Sequence, residues 1–458
     1  MISRTDLNER VQEWGLREHV VEKDYVIGWL LWGIGSHPGL SASWAFKGGT
    51  CLKKCYLETY RFSEDLDFTV LPGGIITPDE LNTALKDIFA RVYDRSGIEF
   101  REREPVIRVR PDGKSVEGKV YYRGPRNASE VSSIKLDLSP IEQVVRPTVS
   151  RPISHPYPDQ LPPPGTVRSY CFEELFAEKL RAMGERCRPR DLYDIINLFH
   201  RRDFRPHAEL IRTVFTQKCK VKGVEIFTFN SIEASPYRTE IETEWANMLG
   251  HQLPVLPPFA EFWRELPNLF SWLNGQLTPE ELPAIAAGKD EETEWVPPST
   301  VWVWGAGIPL ESVRFAAANY LCVELGYGGS TRLIEPYSLR RTRTGYLLLY
   351  AVKADTGELR AYRVDRIESI NVTTRPFKPR FTVECTSAGP LTSPPVQRLT
   401  SAFTHIPSIK NGLTYVIKCS YCGKQFKRSS LDTHLRPHKD KDGFYDCPGR
   451  TGYLVDQY

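Results

Sequence analysis

The chain has 458 residues, a formal net charge of +3, 41% hydrophobic residues and 11% aromatic ones, which excludes a disordered polyelectrolyte and predicts two or three globular domains. No apolar run reaches the length of a bilayer span, since Trp29-Leu30-Leu31-Trp32 meets a glycine at once, and the first residues lack the basic and apolar regions of a secretory signal. Cys51, Cys55, Cys171, Cys187, Cys219, Cys322 and Cys385 are scattered while Cys419, Cys422 and Cys447 cluster, a usage that predicts a reduced cytoplasmic protein with a metal-binding tail and no disulfide framework.

Charge is unevenly spread: a net of −6 over the first 300 residues and +9 from Val301 onward, so a polyanionic partner is expected of the C-terminal part. In chain order, Val20, Val21, Tyr25, Val26, Trp29 and Leu30 recur at helical spacing and predict helix up to about Trp44. A strand at 44–46 runs into Gly48-Gly49, followed by a helix over 50–57 and a strand carrying Asp65 and Asp67. Next come a helix over 78–92 with Leu81, Leu85, Ile88 and Phe89 on one face, and alternating strands at 106–109, 116–122 and 132–138. A proline-rich connector (147–164) leads to helices over 172–183 and 192–200, continuing to about residue 270. The acidic, proline-bracketed stretch 279–298 predicts a linker. Beyond it lie further alternating strands, a Ser/Thr/Pro loop at 386–395 and the cysteine tail.

Chemistry concentrates in Phe46-Lys47-Gly48-Gly49-Thr50 and Arg61-Phe62-Ser63-Glu64-Asp65-Leu66-Asp67-Phe68. Two glycines opening a helix let backbone amides approach a phosphate. Asp65 and Asp67 share one face of a strand because the side-chain period is two, and hard carboxylate oxygens on one face suit magnesium. A two-metal transfer needs a third carboxylate on a neighbouring strand, which Asp137 in Ile134-Lys135-Leu136-Asp137-Leu138 supplies. In the helix around Glu178-Lys179-Leu180, Lys179 falls on the apolar stripe, either as a snorkelling side chain or reaching a triphosphate. Asp191 and Asp194 open the next helix, where capping and, for Asp191, catalysis are both open readings.

These motifs together with Val21-Glu22-Lys23-Asp24-Tyr25 and Arg190-Asp191-Leu192-Tyr193-Asp194 resemble the AbiEii/AbiGii-type nucleotidyltransferase toxins, over roughly residues 1–275. The resemblance implies an α/β (α+β) fold, a minimal DNA-polymerase-β-like nucleotidyltransferase with a helical lobe. It divides the chain into a core (1–150), a helical lobe (151–278) and the acidic linker (279–298). It also implies transfer of a nucleoside monophosphate from an NTP to an RNA acceptor such as the tRNA 3′ end, in a toxin of abortive phage defence with a cognate antitoxin. Lys47, Gly48, Gly49, Thr50 and Lys179 would bind the nucleotide; Asp65, Asp67 and Asp137 would hold two magnesium ions; Lys179 and Asp191 would join them in catalysis. Two rival readings remain: transfer to a protein hydroxyl, and a nucleic-acid-binding regulator with a non-catalytic nucleotide domain.

The segment 299–400 alternates as twisted antiparallel strands, with Arg332, Arg363 and Arg366 interleaved with Tyr337, Tyr346 and Tyr362. It resembles a WYL domain, a small Sm-like β-barrel of nucleic-acid or nucleotide sensors, with the naming triplet changed to Tyr346-Leu347-Leu348. Arg332, Tyr346, Arg363 and Arg366 are its candidate ligand contacts. In the tail (401–458), Cys419-x2-Cys422 followed by His434 and His438 resembles a two-Cys, two-His zinc finger, with a short helix and a core of Phe426 and Leu431. The Cys422–His434 gap is one residue short and Pro437 interrupts the helix, so a structural zinc would take four of Cys419, Cys422, His434, His438 and Cys447, with His434 and Cys447 competing.

Overall fold

Helices surround a seven-stranded mixed sheet in a computed structural model that describes residues 1–57, 61–201, 207–234, 237–285, 293–295, 310–342, 344–385, 415–428, 432–443 and 445–457. The N-terminal helices α1 (Arg4–Trp14), α2 (Glu18–Ser36) and α3 (Pro38–Ser43) lead to β1 (Trp44–Lys47), α4 (Gly48–Cys55) and β2 (Asp65–Val70). Then follow α5 (Pro78–Ser96), β3 (Val106–Val109), β4 (Val116–Tyr122), β5 (Ser132–Ser139), β6 (Val149–Pro152) and β7 (Thr166–Ser169). The sheet order is β3-β4-β5-β2-β1-β7-β6, with β2 parallel to β5 and β1 parallel to β7. Its apolar side chains, among them Phe46, Leu66, Phe68, Leu136 and Leu138, are buried in one core with residues of α2 and α5 such as Leu30 and Ile88. The opposite face carries Asp65, Asp67 and Asp137, because alternate residues point opposite ways.

The proline-rich connector holds more structure than its composition suggests. Within it, β6 forms the sheet's edge and pairs with β7, so the sheet continues past residue 150. Proline is tolerated at that edge because it needs no ladder donor there. The helical lobe comprises α6 (Phe172–Arg186), α7 (Pro189–His200), α8 (Ala208–Lys222), α9 (Phe229–Glu233), α10 (Tyr237–Leu249) and α11 (Phe259–Leu273).

Of the expected acidic linker, residues 279–285 are described and β8 (Thr293–Trp295) forms a strand on β10; the rest lies outside the described residues. The next helix, α12 (Leu310–Ala318), precedes a second sheet of β9 (Leu321–Tyr327), β10 (Ser330–Thr342), β11 (Leu347–Lys353), β12 (Leu359–Arg363) and β13 (Ile367–Pro376). Its path runs β12-β11-β10-β9-β13. The expected small barrel does not close among the described residues: β12 and β13 remain unjoined edges. One apolar core continues from α1 and the first sheet through the helical lobe into α12 and this second sheet. Met1–Pro394 is accordingly one compact unit. The loop at 386–395 lies outside the described residues.

The second unit, Pro395–Tyr458, contains β14 (Tyr415–Cys419), β15 (Gln425–Arg428), β16 (His438–Lys439), β17 (Asp446–Cys447) and β18 (Gly452–Gln457). No helix occurs among its described residues, contrary to the finger-like expectation. The ligand-bearing segments are hairpins, and Pro437 lies in the bend just before β16 rather than interrupting a helix. Its small core is Ile417, Cys419, Leu435 and Cys447 with Phe426 packed on it; Leu431 lies outside the described residues.

Candidate active site and metal centre

The three carboxylates read from the sequence converge on the sheet's polar face. Asp67 on β2 is the register partner of Asp137 on β5, and on its other side of Lys47 on β1, while Asp65 lies two residues back on the same face. Burial, chiefly, together with the charges of Asp137 and Asp65, holds the Asp67 carboxyl above the usual carboxylate range against the pull of Lys47 and Lys179. Carboxylates that disfavour one another's charge and present hard oxygens to a single face fit divalent magnesium, which would relieve that repulsion.

The glycine turn abuts this cluster. Gly48 has φ +81°, and a Cβ added there would come within 2.3 Å of an Asp67 carboxylate oxygen. Gly48 therefore supplies both a left-handed backbone and the room Asp67 needs. A Cβ on Gly49 would come within 2.5 Å of the Arg61 guanidinium, which places a cation directly beneath the turn. The N-cap of α4, Lys47, makes no side-chain cap hydrogen bond, so the helix N-terminus faces the cluster uncapped by a side chain. The Thr50 hydroxyl donates to the Asp65 backbone carbonyl, fastening the helix to β2 rather than pointing at a phosphate, and Lys47 pairs with Glu142.

Lys179 is nearly buried and its Nζ lies 2.7 Å from Asp194 Oδ2. Asp194 also accepts two hydrogen bonds from Arg61, at 2.7 and 2.8 Å. Burial opposes its charge, but Arg61 and Lys179 outweigh that and hold the Asp194 carboxyl well below the usual range. Asp191, the sequence candidate, is fully buried and engaged by Arg186 at 2.7 and 2.8 Å. Neither aspartate caps its helix. In the Val21–Tyr25 motif, Asp24 pairs with Lys54 at 2.6 Å and accepts from Tyr157 at 2.9 Å, and Glu22 accepts from the Arg126 amide at 2.8 Å. These contacts position α2.

Three participants escaped the sequence reading. The sequence gives Arg61 no role and Asp194 only a capping one, and it does not single out Arg110, which pairs with Asp137. For Arg110 the available signal was its place just beyond β3, with β4 between it and the β5 carboxylate.

In the second unit Cys419, Cys422, His438 and Cys447 bring one ligand atom each to within 4.8 Å of the others. The Cys419–Cys447 sulfurs are 3.7 Å apart and Cys422 Sγ is 3.4 Å from His438 Nε2. Bonds of ~2.3 Å to sulfur and ~2.0 Å to nitrogen at tetrahedral angles require separations of about 3.5–3.8 Å. His438 Nδ1 lies 2.8 Å from the Arg436 carbonyl, which directs Nε2 to the cluster. Amides of Tyr421 and Gly449 donate to Cys419 and Cys447 sulfurs. The residues fit zinc. His434 is outside the cluster, its amide bonded to Asp432.

On the second sheet the Arg363 guanidinium stacks 3.5 Å from the Tyr346 ring and pairs with Asp365. Arg332 donates to the Tyr327 carbonyl, and the Tyr327 hydroxyl accepts from the Arg363 amide at 3.4 Å. Tyr327 thus links two of the predicted contacts. Arg366 sits in the short turn Val364–Arg366.

Residues 29–268 match the family described as nucleotidyl transferase AbiEii toxin, type IV toxin–antitoxin system. Among solved structures the chain is similar to MenT4, a nucleotidyltransferase toxin from Mycobacterium tuberculosis H37Rv, at 21% identity over 60% of this chain and 90% of that one, with a TM-score of 0.39. Among curated proteins there is no match. No described helix is long and apolar enough to cross a membrane. With more than half its length matched, the chain belongs to the AbiEii nucleotidyl transferase toxin family and is a nucleotidyltransferase of a toxin–antitoxin system.

Proposed function

We propose that this toxin transfers a nucleoside monophosphate from an NTP to the terminal hydroxyl of an RNA acceptor, such as the tRNA 3′ end. The observation that carries the reading is the register of Asp67 with Asp137 beside Asp65, abutting Gly48. Two magnesium ions held by Asp65, Asp67 and Asp137 would supply Lewis-acid activation of the hydroxyl and neutralisation of the triphosphate. The α4 N-terminus offers Gly48 and Gly49 amides to the phosphates. The Arg61 guanidinium beneath Gly49 adds positive charge there. Asp137 accepts the proton of the acceptor hydroxyl, whose oxygen bonds to the α-phosphorus as the bond to pyrophosphate breaks. Lys179, aimed by Asp194, balances charge on the departing pyrophosphate.

Around this centre we place growth arrest in abortive phage defence, in the cytoplasm, restrained by a cognate antitoxin. Arg332, Tyr346, Arg363 and Arg366 on the WYL-like second sheet contact nucleic acid or nucleotide. Zinc on Cys419, Cys422, His438 and Cys447 is structural.

The test is incubation with each α-labelled NTP and total tRNA, followed by separation of RNA and protein. Label is expected in RNA. Asp67→Ala should lower it more than about 100-fold, beyond the usual effect of removing even a supporting neighbour of a metal ligand, with an unchanged circular dichroism spectrum. Undiminished labelling by the variant, or label confined to protein, defeats the proposal.

A further inference from the structure

A cleft of about 580 Å³ opens beside Asp65 and crosses β5 and β4 to β3. Its walls include Lys23, Arg103, Arg108, Lys119 and Lys135. Strand register fixes their order: Lys135 is the lateral partner of Asp65, Lys119 of Lys135, and Arg108 of Glu117 in the adjoining row. At about 4.8 Å per strand the cations step outward from Asp65.

Their charges are largely unneutralised. Lys23 pairs with Glu64, and Glu117 faces Arg110 at 3.8 Å. Among the described residues, Arg103, Arg108, Lys119 and Lys135 form no ion pair with a carboxylate. Arg103 and Lys119 sit 4.0 and 5.5 Å over the buried Tyr121 ring, which holds both at the cleft wall. Five cations stand in this concavity against the carboxylates of Glu64, Asp65 and Glu117, and the excess, carried by the four cations without a carboxylate partner, suits an anion with several charges. In the function proposed above the triphosphate sits across β2, at Gly48, Gly49 and Arg61, on the β1 flank.

We propose that this cleft seats the phosphodiester backbone of a single-stranded RNA acceptor and delivers its terminal hydroxyl to the carboxylates from the flank opposite the nucleotide. The inference rests on the RNA-transfer reading above. Lys135 lies closest to the reacting end, and Arg103, Arg108 and Lys119 hold phosphates farther along the strand.

Binding of a short fluorescent single-stranded RNA to the full chain, with magnesium and without NTP, is measured by anisotropy over a potassium chloride series. The Arg108→Ala/Lys119→Ala variant should bind at least about tenfold more weakly. Its slope of log affinity against log salt should fall by about 1.4, at ~0.7 per single-strand phosphate contact. KM for NTP and the melting temperature should not change. Arg264→Ala, an exposed change in the helical lobe, should leave RNA binding as it was. RNA affinity equal to that of the parent chain overturns the proposal. So does a raised KM for NTP with intact RNA binding, which would make the cleft a nucleotide seat, and so does loss of binding to an acidic peptide alone. Label transferred to protein instead of RNA defeats the function proposed above, whereas unchanged RNA affinity in the variant defeats only this inference.

Discussion

Asp194 neutralises two buried cations at once, Arg61 and Lys179. Replacing it with Asn keeps the volume but leaves both cations without their counter-charge, which costs about 3–5 kcal/mol when a buried pair loses one partner. The expected result is a lower urea midpoint at neutral pH and weaker nucleotide transfer as Lys179 loses its aim. The pH dependence has a definite sign. Because the Asp194 carboxyl is held below its unfolded value, its stabilisation is full above the unfolded carboxylate pKa of about 4 and is lost as pH falls through the lower folded value. Asp194→Asn should therefore show a flatter acid limb in denaturation midpoints between neutral and strongly acidic pH; an acid limb as steep as that of the parent chain would contradict this account. At this scale the sequence displayed local signals and hid distant ones. Asp65 and Asp67 were legible from alternation, and Gly48 from its place at a strand-to-helix turn. The partners of Asp194 were not, since Arg61 lies 133 residues away and nothing in either neighbourhood names the other.

Elements whose pattern is regular were readable in place. The strands at 106–109 and 116–122 coincide with β3 and β4, and the expected strand at 132–138 is one residue short of β5. β6 was hidden because prolines dominate its neighbourhood and its four residues show no clear alternation. The cysteine tail misled in another way: two cysteines and two histidines at nearly the finger spacing imitate a strand–helix unit. Here His438 and Cys447 are instead cross-strand partners of a hairpin, and the Cys419–Cys422 turn closes the cluster. Zinc content of the purified chain, measured by mass spectrometry, should fall from about one ion per chain to near zero in Cys447→Ser. His434→Ala should retain it. Equal loss in both variants would return His434 to the ligand set.

At the scale of the molecule, segments on either side of the acidic stretch share one apolar core. The acidic stretch after residue 278 suggested a free linker separating two domains, yet α12 buries Val313, Phe315, Ala316 and Ala317 in the same core as the first sheet and the helical lobe. The Tyr193 hydroxyl on α7 donates to Asn319 at 3.0 Å, and Ser312 to the Glu13 carbonyl at 3.0 Å. Long-range packing of this kind has no local sequence signature. The unit from Pro395 onward has a core of its own. A chain shortened after Pro394 should thus keep its melting temperature within about a degree or two, the scale of a surface change, and should retain transfer activity. One ending at residue 278 should expose the apolar surface that α12 covers and aggregate, measured by light scattering. Comparable behaviour of the two shortened chains would show that the shared core contributes little.

The pairing of Arg61 with Asp194 also bears on synthesis. During translation Arg61 emerges 133 residues before the carboxylate that makes it tolerable in an interior, whereas Lys179 precedes that carboxylate by only about four helical turns. A chain released ahead of residue 194 lacks the counter-charge of Arg61. An assembled centre is thus expected only once the helical lobe that carries Asp194 has been made.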